Sequence, residues 1–437
     1  MLAPHNLIVS RPLLAAILSC LPSIAFAQPF RTDPVDNRPK VDRPLVAQWV
    51  TDPAQFAANQ QRINDFFTKF LFPAMTRTEP NALADAAELR EELFKKYLWA
   101  STNEQIQKNL TGLAYNAMLP IVVSDPAQPP YDPIVRYNAL LVLGLLDEQY
   151  PNPAAPQTPQ KPLLTATAQL LRIVNSAATN NPYPPQMILG ALLGLERHAT
   201  LRQSLPPQAV DAMTTSMLNF VSREAPPPNV GADVHAWMRL RAAAVLAQLG
   251  RPGNEGQVYN ALLRLVATLK SLDDRCDAAA LLDKLKYEGA KVDGAVTAQQ
   301  LLKLSADVAE AEIARAIEFE EKHLSGGIQF STGRETRRES TFMGTESQEV
   351  YPRRPLVAHL VGLRLALRAT KPLVSTEAQG KFTALLSAIE PVIQSAGNKD
   401  TVDLVLANTV RDMVDAMRRV TAAPAAPVAE PVAPPAK

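Results

Sequence analysis

The side chains that could do chemistry in this chain are few and scattered. Five histidines occur, His5, His198, His235, His323 and His359, and no two are neighbours in sequence. Glu320 and His323 are three residues apart, so they share a helix face and match one half of a di-iron carboxylate site. That site needs a second such pair, and the sequence has none. Glu320 and His323 therefore read as the solvated end of a helix. The paired-cysteine zinc pattern, the His-Glu-x-x-His helix, the phosphate-binding Gly-Lys loop and the Gly-x-Ser-x-Gly elbow are all missing. The densest acidic cluster is Asp273-Asp274-Arg275-Cys276-Asp277. Two carboxylates there could share general acid and base work if burial split their pKa values. Asp273 and Asp274 read instead as caps of a helix beginning near Arg275. No catalytic residue, cofactor or metal ligand is predicted.

One stretch is a candidate for binding. Ser325–Pro355 interrupts a helical pattern with about thirty residues of Gly, Ser, Thr and charge, and so long a loop is usually functional or disordered. It carries Arg334, Arg337, Arg338, Arg353 and Arg354, whose guanidinium groups can grip carboxylates in bidentate fashion. It also carries Phe342 and Tyr351, residue types enriched at interfaces. Segments 328–332, 341–344 and 348–351 have strand-like composition, which predicts a long loop or a small β-hairpin. The interspersed glutamates could equally pair with these arginines and leave a solvated loop.

The elements that must position these residues are helices. In Asp233–Gly250, Arg239, Ala242, Leu246 and Leu249 sit at offsets 0, 3, 7 and 10, one face of a 3.6-residue helix. Arg136, Ala139, Leu143 and Leu146 repeat those offsets, as do Arg275, Ala278, Leu282 and Leu285. Ile188, Ala191, Leu195 and His198 follow with different ends, and Pro355, Ala358, Gly362 and Leu365 follow loosely. A small residue at offset 3 lets a neighbouring helix approach, and the leucines fill the groove between helices. The arginine can reach a carboxylate or carbonyl of the next repeat. This pattern resembles the second helix of HEAT-type repeats. The resemblance implies an all-α fold, an α-solenoid or right-handed superhelix of antiparallel helix pairs, over residues 46–420. The alternative is a non-repetitive bundle whose buried helices share Ala-Leu faces.

Hydrophobic residues make up 47% of the 437-residue chain, ample for a core. The 38 prolines fall at helix starts and in loops, as in Asp52-Pro53 and Asp132-Pro133, where an N-cap precedes Pro at the first helical position. Residues 1–27 read as a secretory signal peptide, with Arg11, the apolar run Leu13–Ile24 and an Ala25-Phe26-Ala27 cleavage site. Ile17-Leu18-Ser19-Cys20 loosely resembles a lipobox, the less favoured alternative, with Cys20 lipidated. Cleavage after Ala27 leaves Cys276 as the single cysteine, a small buried hydrophobe. It also leaves 43 basic and 43 acidic residues, a balance that argues against nucleic-acid binding. No later stretch is long and apolar enough for a transmembrane segment. Residues 28–45 are a Pro-rich arm, extended or disordered, and 421–437 a Pro/Ala tail that buries no core.

These readings predict an exported protein, periplasmic or secreted, that acts as a non-enzymatic scaffold for protein partners. The competing class is an α/α-toroid enzyme acting on a polysaccharide or lipid of the cell envelope. Such toroids place acids at helix ends, but the aspartate motif and Gln/Trp repeats of squalene-cyclase-like proteins are not evident here.

Overall fold

A computed structural model describes residues 30–123, 130–151, 157–179, 183–227, 230–288, 290–325 and 350–422. Helices dominate it. The chain divides into two compact units, Met1–Val245 and Leu246–Lys437, the division falling within one helix.

The first unit begins with an extended arm. Its prolines predict an arm that is extended or disordered; from Phe30 onward it is extended and fastened. Arg31 N–H donates to Pro130 O at 3.1 Å, Asp36 N–H to Lys69 O at 2.9 Å, and Asp33 N–H to Thr76 Oγ1 at 2.8 Å. The Asp33 carboxylate accepts from Tyr131 Oη at 2.9 and 3.0 Å. Proline withholds a donor and fixes φ, but leaves the neighbouring polar groups free to pair. Helices α1 (Arg43–Trp49), α2 (Pro53–Asp65) and α3 (Pro80–Glu92) follow. Asp52 caps α2 as its Asp-Pro pair suggests, with Oδ1 accepting from Ala54 N–H at 2.8 Å. Both α2 and α3 run on into six-residue π-helical segments, Phe66–Leu71 and Leu93–Leu98. The two bury the same pattern, Phe66, Phe67, Phe70 and Leu71 against Leu93, Phe94, Tyr97 and Leu98. A wider turn brings residues four and five apart onto one side. Tyr97 stands edge-on to Phe66 and Phe67, with centroids 5.7 and 5.2 Å away, a favourable aromatic geometry.

The helices then come in pairs. In the first unit α4 (Glu104–Val123) packs on α5 (Pro133–Leu145), and α6 (Leu164–Ser176) on α7 (Pro185–Thr200). Helix α8 (Pro207–Ser222) precedes α9 (Ala232–Leu249), in which the unit division falls. In the second unit α10 (Gln257–Thr268) packs on α11 (Leu272–Leu281), α12 (Gly294–Ser325) on α13 (Arg353–Thr370), and α14 (Thr376–Gly397) on α15 (Asp403–Thr421). Second helices also stack on each other, α5 on α7 and α11 on α13. Two glycines permit the first contact, since a Cβ on Gly144 would lie 2.8 Å from Gly194 Cα. A Cβ on Gly362 would lie 2.5 Å from Cys276 O, so α13 meets α11 nearly backbone to backbone. Helix-on-helix packing of this kind is consistent with a helical solenoid.

The repeated arginine ties three helices, α5, α9 and α11, to the helix before them rather than only reaching the next repeat. Arg136 Nη2 donates to Val122 O at 3.0 Å, Arg239 Nε to Val221 O at 2.8 Å, and Arg275 Nε to Val266 O at 2.8 Å. Each carbonyl lies in the last turn of the preceding helix, where acceptors lack intrahelical donors and a cation is favoured. Arg275 also reaches Asp307 on α12 at 2.8 Å. The offset-3, 7 and 10 residues are buried in α5, α7, α9 and α11 and its following turn. The loose fifth match is out of register. Ala358 is exposed and Leu365 half-buried, and α13 instead buries Leu356, His359, Leu360, Leu363, Ala366 and Leu367. Gly362 stands at a leucine position of the repeated face, and its role is the close approach to Cys276.

Among the described residues the strands are β1 (Asp147–Gln149) and β2 (Lys161–Pro162), which flank a Pro-rich loop and pair antiparallel with Asp147 opposite Pro162. Buried Asp147 accepts from Arg197 at 2.9 and 2.6 Å and from Gln160 Nε2 at 2.5 Å, which anchors the ribbon to α7. The strand-like segments expected within Ser325–Pro355 lie outside the described residues, apart from Val350 and Tyr351.

Candidate functional site

Of the binding residues expected in Ser325–Pro355, Arg334, Arg337, Arg338 and Phe342 lie outside the described residues. Tyr351 is buried, edge-on to Phe319 of α12 at 5.3 Å, and its N–H donates to Asp403 Oδ2 at 3.0 Å. Arg353 is held within the chain. Its Nε and Nη2 donate to Asp403 Oδ1 at 3.0 and 2.5 Å, and its Nη1 donates to Asn398 O at 2.7 Å. These contacts tie the start of α13 to the start of α15. Arg354, the next residue, is exposed.

The most distinctive chemical arrangement lies elsewhere in the same unit, where α11, α12 and α13 meet. His359 on α13 is 1% exposed and stands between two carboxylates. Its Nδ1 is 2.8 Å from Glu312 Oε1 on α12, and its Nε2 is 2.5 Å from Asp273 Oδ1 on α11. Glu312 is fully buried and also accepts from Arg315 Nη1 at 2.5 Å, one turn along its own helix. Asp273 is 73% exposed, so the chain of bonds runs from solvent to core. Helix α11 is capped by Ser271, whose Oγ accepts from Asp274 N–H at 3.4 Å, and begins at Leu272. Asp273 therefore sits in the first turn with its carboxylate turned to His359, rather than capping a helix near Arg275.

Burial by itself draws the His359 pKa down. Hydrogen bonds to Glu312 and Asp273, together with their charges, outweigh it, and the net shift is upward. The imidazolium form can donate to both carboxylates at once, whereas a neutral ring can donate to only one. Two buried oxygens nearby, Glu312 Oε2 and Tyr351 Oη, have no hydrogen-bond partner among the described residues. Burial and then the negative charge of Glu312 push the Tyr351 phenol pKa up. Cys276, on α11, is buried and its thiol is pushed up to about 12 by burial first and by Asp277 next. It is a poor nucleophile.

With both ring nitrogens held by carboxylates, His359 has no nitrogen facing a reactant, and the cluster works as an electrostatic clamp across three helices. His198 and His235 are buried on α7 and α9. His198 Nδ1 is 2.9 Å from Thr167 Oγ1 on α6, and its pKa falls to about 3 through burial and then the Arg197 charge. His235 Nε2 is 2.9 Å from Arg223 O, and burial lowers its pKa too. Among the described residues no three His, Cys, Asp or Glu side chains are grouped to hold a metal ion, and no helix is long and apolar enough to cross a membrane.

Sequence separation concealed the cluster. In the sequence Asp273 belongs to an acidic cluster, His359 is isolated, and Glu312 belongs to no motif. The three lie up to 86 residues apart and meet only when α11, α12 and α13 pack. No family model, curated protein or solved structure matches this chain, so its functional reading rests on its own residues and their geometry.

Proposed function

We propose that this protein is an exported, non-enzymatic scaffold of HEAT-like helix pairs that binds protein partners. The observation that carries the reading is the recurring clasp of Arg136 on Val122, Arg239 on Val221 and Arg275 on Val266. One device used at three helices along the chain supports a repeat architecture, and stacked repeats expose extended surfaces that commonly bind other proteins. The engagement of His198, His235 and His359 within the fold supports the same reading. Export rests on the leader at residues 1–27, which lies outside the described residues. Its test is N-terminal sequencing of the mature protein. A start at Gln28 is expected; a start at Met1 overturns export, and an acylated Cys20 overturns cleavage after Ala27 in favour of a lipoprotein.

The scaffold reading is tested by chemical cross-linking in the envelope fraction, with mass spectrometry and a tag-only control. Specific cross-links to a defined protein are expected. No specific cross-link, together with turnover of an envelope polysaccharide or lipid by the purified chain, would replace it with the toroid-enzyme reading. One observation favours that second reading, the solvent-facing Asp273 carboxylate bonded to an imidazole. Loss of such turnover in Asp273→Asn would tie it to the cluster.

A further inference from the structure

The two carboxylates that hold His359 differ in their access to water. Glu312, at Nδ1, is fully buried, whereas Asp273, at Nε2, is 73% exposed. They also sit on different helices, α12 and α11, so the ring joins α13 to both. The doubly protonated ring donates to both at once. A neutral ring keeps one N–H and must give up one of the two bonds.

Which bond survives follows from what each carboxylate would lose. Without the ring, Glu312 would keep only Arg315 among the described residues, and its Oε2 already has no partner there. Removing a donor from a buried carboxylate is costly, because water cannot take the donor's place. Asp273 can turn into solvent and be hydrated. The proton therefore stays on Nδ1, and the lone pair that appears on Nε2 faces the Asp273 carboxylate and repels it. Glu312 and Asp273 are the charged groups that act on the ring. The other groups around it do not relieve the repulsion. Helix α12 adds Arg315, bound to Glu312; α11 adds Cys276, Asp277 and Arg275, the last bound to Asp307; Tyr351 precedes α13; and Glu390 of α14 is taken by Arg364 and Arg368 at 3.3 Å.

Loss of the proton also changes the local charge. Glu312 and Asp273 balance His359 and Arg315 while the ring is charged, so a neutral ring leaves one negative charge in excess. That charge lies at the surface, on Asp273. The rest of α11 stays fixed, through the bond from Arg275 to Val266 O at 2.8 Å and the close approach of Gly362 to Cys276. We propose that His359 is a one-sided pH latch: on losing its proton it keeps Glu312 and releases Asp273, so that the first turn of α11 loosens and a free carboxylate appears on the surface while α12 and α13 stay joined. Burial opposes the charged ring, but the bonds to Glu312 and Asp273 outweigh it, which puts the transition above the ordinary histidine value of 6.5. The latch does not depend on the scaffold reading.

The test is nitrogen-15 NMR of the histidine rings in the full mature chain from about pH 5 to 9, with His359 assigned by its loss in His359→Gln. Above the transition Nδ1 should stay protonated and Nε2 should not. The opposite tautomer, or a ring doubly protonated throughout, overturns the proposal. Amide exchange, corrected for its intrinsic pH dependence, reads the helix turn. Asp274 and Arg275 N–H donate to Ser271, and their protection should fall about tenfold or more above the transition, while amides around Glu312 keep theirs. In Asp273→Asn the carboxamide accepts from the charged ring and donates to the neutral one, so protection should persist at every pH. Asp273 is exposed, so this variant should melt near the parent, which thermal denaturation checks. The proposal is also overturned if α12 amides lose protection as much as those of α11, or if Asp273→Asn loosens like the parent.

Discussion

Arg275 Nε donates to the carbonyl oxygen of Val266 at 2.8 Å, and Arg239 makes the same bond to Val221 at the same distance. Both bonds bind one helix to the open C-terminal turn of the helix before it, from the first turn in the case of Arg275 and from two turns in for Arg239. A charged donor on a carbonyl that lacks an intrahelical partner stabilises more than an ordinary surface contact. Arg239 is buried, and replacing it with Met keeps much of its apolar stem while leaving the Val221 carbonyl without this donor. The expected cost of Arg239→Met is about 1–3 kcal/mol, read from the denaturant midpoint. Lys at this position should restore part of it, since one ammonium cannot reproduce the geometry of the guanidinium.

The clamp at His359 makes stability depend on pH. Its folded pKa is raised above the unfolded value, so the folded state binds more protons between the two values. The contribution is fully present below the unfolded histidine pKa of about 6.5 and is lost as pH rises through the folded pKa. Urea melts at a series of pH values should show stability declining over that window. His359→Gln should be less stable at low pH and should lack the decline. A decline of the same slope in the variant would place the titration elsewhere.

Helix crossings respond to a single methyl group. Gly144→Ala puts a Cβ 2.8 Å from Gly194 Cα, and Gly362→Ala puts one 2.5 Å from Cys276 O. In both cases the obstacle is backbone, so each substitution should cost about 1–3 kcal/mol. Gly380, inside α14, has nothing within 4 Å of its added Cβ. Gly380→Ala should therefore stabilise by about 0.5–1 kcal/mol through the unfolded state and helix propensity. Thermal melts of the three variants check the sign of each effect.

The N-terminal arm should contribute to stability. Asp33 accepts two bonds from Tyr131 Oη, and its N–H reaches Thr76. Deleting residues 28–37 removes these bonds and uncovers Tyr131, and should lower the melting temperature measurably. Tyr131→Phe isolates the hydroxyl, with an expected loss of about 1–2 kcal/mol. An unchanged melting temperature in the deletion would mean that the arm is not bound in solution.

The amino-acid sequence by itself determined the helices and some of their starts. Periodic Ala and Leu at offsets 3, 7 and 10 follow from one-sided burial, and Asp52-Pro53 and Asp132-Pro133 follow from local hydrogen bonding and a fixed φ, both short-range effects. The repeated arginine was visible for the same reason. What it grips depends on how the preceding helix ends, and only packing decided that. Tertiary structure also decided the register of α13, because Gly362 serves a backbone contact and hydropathy assigns such a contact no weight. The docked arm and the anchored ribbon at Asp147 were decided the same way, for each rests on polar partners tens of residues away that carry no periodic signal. Most of all, packing made a site of Asp273, Glu312 and His359. Each looks ordinary on its own helix, and their chemistry appears only when burial removes water and leaves the three with one another.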